Sequence, residues 1–142
     1  MAEARYRPWR AKLWAQVAGR RVLEVGVGTG KNMPFWPPGA QITAIELTPG
    51  MLVIARRRAE RLGLAADLRL GDAQRLDFPD GSFDAAVATF VFCSVPDPLL
   101  GLREMARVVD GVDRPQDAVN HPLAGVAAGR RPGPPRPAPA AP

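Results

Sequence analysis

The chain has 142 residues, 46% of them hydrophobic and 23% charged, with a formal charge of +5. That is enough for one domain with a buried core and too little for two ordinary ones. Cys93 and His121 each stand alone in their residue type. An intramolecular disulfide, a Cys/His zinc site and Ser-His-Asp or Cys-His machinery within the fold are therefore excluded, and no metal is expected.

The positive charge is carried by arginine, Lys12 and Lys31 being the only lysines. The arginines are scattered, so they read as solvated surface and not as a nucleic-acid face, although a basic balance suits contact with a phospholipid surface. No apolar run is long enough to span a membrane. Residues 1–5 lack the apolar core of a signal peptide, and the single cysteine fits a reducing cytoplasm.

Residues 4–18 read as a helix, interrupted by Pro8 and ended by Gly19. Trp9, Leu13, Trp14 and Val17 share one side, while Arg5, Arg7, Arg10 and Lys12 lie mostly elsewhere. Packing on a sheet is the expected role, ahead of a basic lid or a membrane contact. Val22, Leu23 and Val25 then suit a strand covered on both faces. Gly26, Gly28 and Gly30 follow at every second position and strip side chains from the next turn, so a ligand can lie against its backbone. Only a short helix fits before Pro37, Pro38 and Gly39.

Ile42–Glu46 reads as the second strand, placing the Glu46 carboxylate 20 residues after Gly26 at a strand end, where it can accept from a ribose diol. Thr48 and Pro49 open a helix by cap and proline, with Met51, Leu52, Ala55, Ala59 and Leu62 as its inner face and Gly63 as its stop. Asp67–Leu70 is a third strand, ending in Gly71-Asp72-Ala73. Phe83–Phe90 is a fourth, small and apolar enough to be central. Asp97 and Pro98 open a last helix, with Leu99, Leu102, Met105 and Val109 inward. This alternation predicts an α/β fold with a parallel sheet and helices on both faces. The glycine turn, Glu46, Asp72 and the Thr89–Val95 loop would all fall on one sheet edge.

Four stretches in this order carry a resemblance: 22–32 (VLEVGVGTGKN), 45–52 (IELTPGML), 71–84 (GDAQRLDFPDGSFD) and 88–98. Residues 21–109 resemble the amino-terminal two thirds of a class I S-adenosylmethionine-dependent methyltransferase, nearest the branch of ubiquinone/menaquinone-biosynthesis methyltransferases and bacterial phospholipid N-methyltransferases. The resemblance implies a Rossmann-like, doubly wound sheet that binds S-adenosyl-L-methionine and methylates a small-molecule or lipid acceptor. It implies that Gly26, Gly28 and Gly30 let the backbone approach the methionyl part and ribose, and that Glu24 orients the methionine ammonium through water. Glu46 would bind the ribose hydroxyls, Asp72 the adenine amino group, and the Ala73 N–H a ring nitrogen. Phe90 would border the methionine end. No catalytic base is identified, and Cys93 is expected to be a small packing residue.

After Val109 the pattern departs from that family, in which a turn and a fifth strand follow. Residues 110–142 are dominated by Pro, Ala, Gly and Arg and are expected to be a disordered tail. Out-of-frame reading of GC-rich codons yields such a composition. The expected organisation is an N-terminal helix over 1–19, a partial methyltransferase domain over 20–109 lacking the C-terminal strands, and the tail, with strand four left as an open edge. Two alternatives stand beside it: a non-catalytic cofactor-binding remnant, and a nicotinamide-binding Rossmann protein. The second leaves Gly71-Asp72-Ala73 without a purpose.

Overall fold

A computed structural model describes residues 2–110, 119–121 and 125–129. In chain order the elements are α1 (Ala2–Trp14), β1 (Arg21–Val25), a single 3₁₀ turn (Met33–Phe35), β2 (Gln41–Glu46), α2 (Pro49–Arg61), β3 (Ala66–Leu70), β4 (Ala85–Ala88), α3 (Pro98–Val108), β5 (Val119–His121) and β6 (Gly125–Gly129). They form one sheet in the order β3-β2-β1-β4-β6-β5. The first four strands are parallel, with Val25 opposite both Ile45 and Ala88. The order runs outward from β1 to β3 and then restarts at β4 on the other side of β1. The gap between the ends of β1 and β4 is thus a topological switch point, where open α/β sheets hold ligands.

Each strand sends alternate side chains to opposite faces. Val22, Ile42, Ala44, Ala85 and Val87 meet Leu13 and Trp14 of α1 and Ala55 and Ala59 of α2. Leu23, Val25, Ile45, Ala86 and Ala88 meet Met105 and Val108 of α3 on the other face, with Phe83, Leu76 and Ala73. Helices therefore cover both sides of the sheet, and the strands between them are apolar on both faces, as the sequence pattern requires.

Several expectations are corrected. Pro8 lies inside α1 and does not interrupt it, and the helix ends at Trp14, before Gly19. A mid-helix proline costs about 3 kcal/mol, but burying Leu13 and Trp14 recovers about 1.5–3 kcal/mol each. In α2, Leu52, Ala55 and Ala59 face the core, while Met51 and Leu62 are exposed. The Thr48 hydroxyl makes no cap bond; its N–H instead donates to Glu46 Oε1 at 3.1 Å. Asp97 does cap α3, accepting from the Leu100 N–H at 3.0 Å, but Leu99 points outward, and Val108 joins Met105 and Val109 in the core. Strand four is shorter than expected and is not an edge. β6 runs antiparallel along it, pairing Ala85 with Gly129 and Ala88 with Val126, and β5 pairs with β6. The remaining residues of the segment 110–142 after Asp110, including the Arg130–Pro137 run, lie outside the described residues.

Asp84 joins the starts of β1 and β4. Its Oδ2 accepts from the N–H groups of Arg20 and Arg21 at 2.9 and 2.8 Å, and its Oδ1 from the Arg21 guanidinium at 2.8 Å. These bonds hold the carboxyl down at about 2. Gly19 passes beside it with φ +104°, where a Cβ would come within 2.3 Å of the Asp84 Cβ.

Candidate cofactor site

A cavity of about 490 Å³ opens at the carboxyl ends of β1, β2, β3 and β4. Of the residues singled out in the sequence, Gly26, Gly28, Glu46, Asp72, Ala73 and Phe90 line it. Glu24 and Gly30 do not.

The floor is the glycine turn. Gly26 and Val27 both donate to the Ile45 carbonyl, at 2.9 and 3.0 Å, which ties the turn to the end of β2. Gly26 has φ +71°, and a Cβ there would come within 2.3 Å of Val91 Cγ2. Gly28 has φ +57°, and a Cβ there would meet nothing within 4 Å. The two glycines therefore serve different ends: the first admits a protein side chain, the second leaves open space.

Glu46 is 8% exposed, and its carboxylate braces this floor. Oε2 accepts from the Gly28 N–H at 2.8 Å and Oε1 from the Thr48 N–H at 3.1 Å. A carboxylate oxygen accepts more than one bond, so both oxygens keep acceptor capacity toward the cavity. On the far wall the Asp72 Oδ1 accepts from the Gln74 N–H at 2.9 Å, and Oδ2 has no protein partner among the described residues.

Beneath the floor lies a buried polar chain that sequence reasoning did not identify. The Asn32 amide donates to Glu24 Oε1 and to Thr89 Oγ1, at 2.5 and 2.8 Å, and the Trp36 indole N–H donates to Glu24 Oε2 at 2.7 Å. Asn32 Oδ1 accepts from Arg10 at 2.7 Å. Glu24 is fully buried, and that burial pushes its carboxyl up to about 7, against the opposing pull of Asn32, Trp36 and the Arg10 charge. The Glu24 carboxylate thus faces its partners from below and does not reach the cavity surface. Glu24 itself was singled out by the resemblance, and Asn32, placed just past the glycine turn, was the other visible signal of this chain. Arg10 and Thr89 lie 79 residues apart in sequence and gave none.

Phe90 closes the β1–β4 end. It has φ 55°, unusual outside glycine and costing about 1 kcal/mol or more. The Tyr6 ring meets it edge-on at 5.2 Å, and the Arg10 guanidinium lies over it at 5.4 Å. The first turns of α1 therefore cover this end of the cavity while Leu13 and Trp14 anchor the helix in the core. Lys31 and Glu3 add a tie at 3.0 Å. Cys93 is exposed, and its thiol donates to the Phe90 carbonyl at 3.3 Å.

An open α/β sheet with a cavity at its switch point, floored by bare backbone and bearing two strand-end carboxylates on largely apolar walls, defines a class of small-molecule-binding domains. Comparison with known proteins identifies the family within that class. Residues 23–111 match the model of the methyltransferase domain, and the chain belongs to that family. It is 47% identical over 92 residues to the phosphatidylethanolamine N-methyltransferase of Cereibacter sphaeroides, covering 63% of this chain and 45% of that protein. It is 37% identical over 111 residues to the demethylmenaquinone methyltransferase of Thermus thermophilus, covering 76% of this chain and 50% of that protein. Among solved structures it is similar to the [4+2]-cyclase SpnF, with a TM-score of 0.65 and 32% identity over 74% of this chain and 40% of that one. The chain spans about half the length of the curated relatives it matches.

Proposed function

We propose that this chain forms the S-adenosyl-L-methionine site of a methyltransferase that acts on a small-molecule or lipid acceptor. The observation that carries the reading is the convergence of Gly26, Gly28, Glu46 and Asp72 on one cavity. The donors and acceptors suit the cofactor. Glu46 would accept from the two ribose hydroxyls, Asp72 from the adenine amino group, and the Ala73 N–H would face a ring nitrogen. Gly26 and Gly28 would lie against the methionyl part and ribose, with Gly30 keeping the turn tight. Glu24 would act from below, holding Asn32 in place between itself and the methionine ammonium.

When bound, the cofactor supplies an electrophilic methyl group on a sulfonium. The chain's own task is then to align an acceptor and exclude water. Phe90, covered by Tyr6 and Arg10, walls the methionine end. Leu47 and Met51, exposed large apolar side chains that follow Glu46 on the cavity wall, would meet the apolar faces of the nucleoside. No residue is assigned as a catalytic base. The named relatives act on phosphatidylethanolamine and demethylmenaquinone, so these two acceptors are the ones to test. A cytoplasmic protein touching the membrane only at its surface suits both; no described helix is long and apolar enough to cross a membrane.

Because the chain spans about half of those relatives, a second reading is a domain that binds the cofactor without turnover. Calorimetric titration with S-adenosylhomocysteine, beside Glu46→Ala and with NAD⁺ as competitor, tests the first step. Micromolar binding, lost in the variant and untouched by NAD⁺, is expected. A folded chain that binds NAD⁺ and not S-adenosylhomocysteine would overturn the reading. Methyl transfer to either acceptor then separates the enzyme from the binding domain.

A further inference from the structure

The cavity wall formed by Gly71, Asp72, Ala73 and Gln74 lies on a loop that α3 grips from outside. One end of the loop is fixed by the sheet, since the Gly71 N–H donates to the Glu46 carbonyl at 3.0 Å. The segment itself is stiff: Arg75 N–H donates to the Asp72 carbonyl at 3.1 Å, and Gln74 N–H to Asp72 Oδ1 at 2.9 Å. Its other end has no sheet to hold it. There Glu104 Oε2 accepts from the Leu76 N–H at 2.8 Å, and Arg107 Nη2 donates to the Leu76 carbonyl at 2.9 Å. Both main-chain polar groups of Leu76 are thus held by two side chains one helical turn apart. Glu104 and Arg107 fix each other through paired bonds of 2.8 and 3.0 Å, and Arg107 Nη1 reaches the Phe78 carbonyl at 2.9 Å. Leu76 is buried in the same cluster as Ala73, so a shift of one is felt by the other.

We infer that the Glu104–Arg107 pair is a positioning element that sets the nucleobase selectivity of the cavity, acting through Leu76 on Asp72 and Ala73. This rests on the reading above, in which Asp72 and Ala73 face the base. Arg107 also donates from Nη1 to Asp80 Oδ1 at 2.7 Å, so its fork serves Glu104, Asp80 and two carbonyls with five N–H bonds, and the three donors of a lysine are not an equivalent. A base with a 6-amino group donates to Asp72, whereas one with a 6-oxo group offers a second acceptor there. Discrimination between them depends on where the Asp72 oxygen stands.

The test compares S-adenosylhomocysteine with S-inosylhomocysteine by calorimetry on the full chain, with melting temperature recorded for each variant. Wild type is expected to prefer the adenosyl ligand. Arg107→Lys, which keeps the charge and loses the fork, is expected to lower the affinity ratio about tenfold or more by weakening adenosyl binding alone. Glu104→Gln, which keeps one acceptor for Leu76, gives a second and milder variant with the same direction. An unchanged ratio in folded variants, with or without an equal loss for both ligands, would overturn the inference and leave the pair a purely structural clasp. Wild type that binds the adenosyl ligand without preference would also overturn it. Wild type that binds neither ligand would overturn the cofactor reading itself.

Discussion

Glu46 Oε2 accepts from the Gly28 N–H at 2.8 Å, so the strand-end carboxylate that the ribose would meet also holds the floor of the cavity in place. The two tasks separate by substitution. Glu46→Gln keeps one acceptor for the turn but turns a donor toward the second N–H and loses the charge. A hydrogen bond to a charged group contributes about 1.5–3 kcal/mol, so affinity for S-adenosylhomocysteine should fall about tenfold to a hundredfold, with a smaller drop in melting temperature than Glu46→Ala shows. Glu46→Ala should lose more affinity and also destabilise the fold, because two backbone donors lose their acceptor. Equal affinities for Glu46→Gln and wild type, measured by titration calorimetry, would remove Glu46 from the site.

The glycines of the turn make a contrasting pair. An alanine at Gly26 meets Val91 Cγ2 at 2.3 Å in a left-handed backbone, so Gly26→Ala should cost well over 1 kcal/mol of stability. An alanine at Gly28 meets no protein atom within 4 Å and bears only the strain of φ +57°. Gly28→Ala should therefore cost about 1 kcal/mol and leave a folded chain. Its methyl group projects from the cavity lining, so ligand binding should be hit harder than stability. Chemical denaturation and ligand titration of both variants check the order: Gly26→Ala worse in stability, Gly28→Ala folded and impaired in binding.

Glu24 predicts a specific pH dependence. Burial raises its folded carboxyl from 4.5 to about 7. Between those values the folded state holds a proton that the unfolded chain has released, so stability is full below pH 4.5 and falls as pH rises toward 7. The span of the shift corresponds to roughly 3 kcal/mol as an upper bound. Glu3, Asp84 and Glu104 have lowered carboxyls and titrate below this window. Denaturation midpoints between pH 4.5 and 7.5 should decline for wild type and stay flat for Glu24→Gln. A flat wild-type profile would mean that Asn32, Trp36 and Arg10 keep the carboxylate ionised despite its burial.

Much of this site was legible in the sequence because its parts are local. Val22–Val25 can only be a covered strand, three spaced glycines can only be bare backbone, and Glu46 and Asp72 sit at strand ends by simple count. The parallel sense of the first four strands followed from the alternation of periods. What escaped depends on contacts distant along the chain. The Arg10–Thr89 bond spans 79 residues, and the Glu104–Leu76 bond spans 28. Neither leaves a local trace. The pairing of β6 along β4 escaped for another reason: Gly125–Gly129 is nearly all small residues, and backbone hydrogen bonding needs no apolar alternation to announce it. The outward turn of Met51 and Leu99 depends on where the edge of each helix's apolar stripe falls, which a count of apolar spacing does not resolve.

Asp84 makes a clasp at the amino ends of β1 and β4, opposite the cavity. Its carboxylate accepts three hydrogen bonds, two from backbone N–H groups that lead into β1 and one from Arg21. Those backbone donors lie at an exposed strand start, where water replaces part of what is lost, so Asp84→Ala should cost about 1 kcal/mol. The Arg21 contact is partly exposed and contributes little by itself, which makes Arg21→Ala the milder variant, below about 1 kcal/mol. The folded carboxyl lies near 2, below its ordinary 3.8. Its stabilisation is therefore complete above pH 3.8 and is lost as pH falls toward 2. In Asp84→Asn the side chain still offers one acceptor but cannot titrate, so that variant should be less stable at neutral pH and lose less on acidification. Urea midpoints for the three variants, taken from pH 2 to 6, distinguish this from a clasp held only by charge. In the latter case Arg21→Ala would match Asp84→Ala, and 0.5 M salt would weaken wild type toward both.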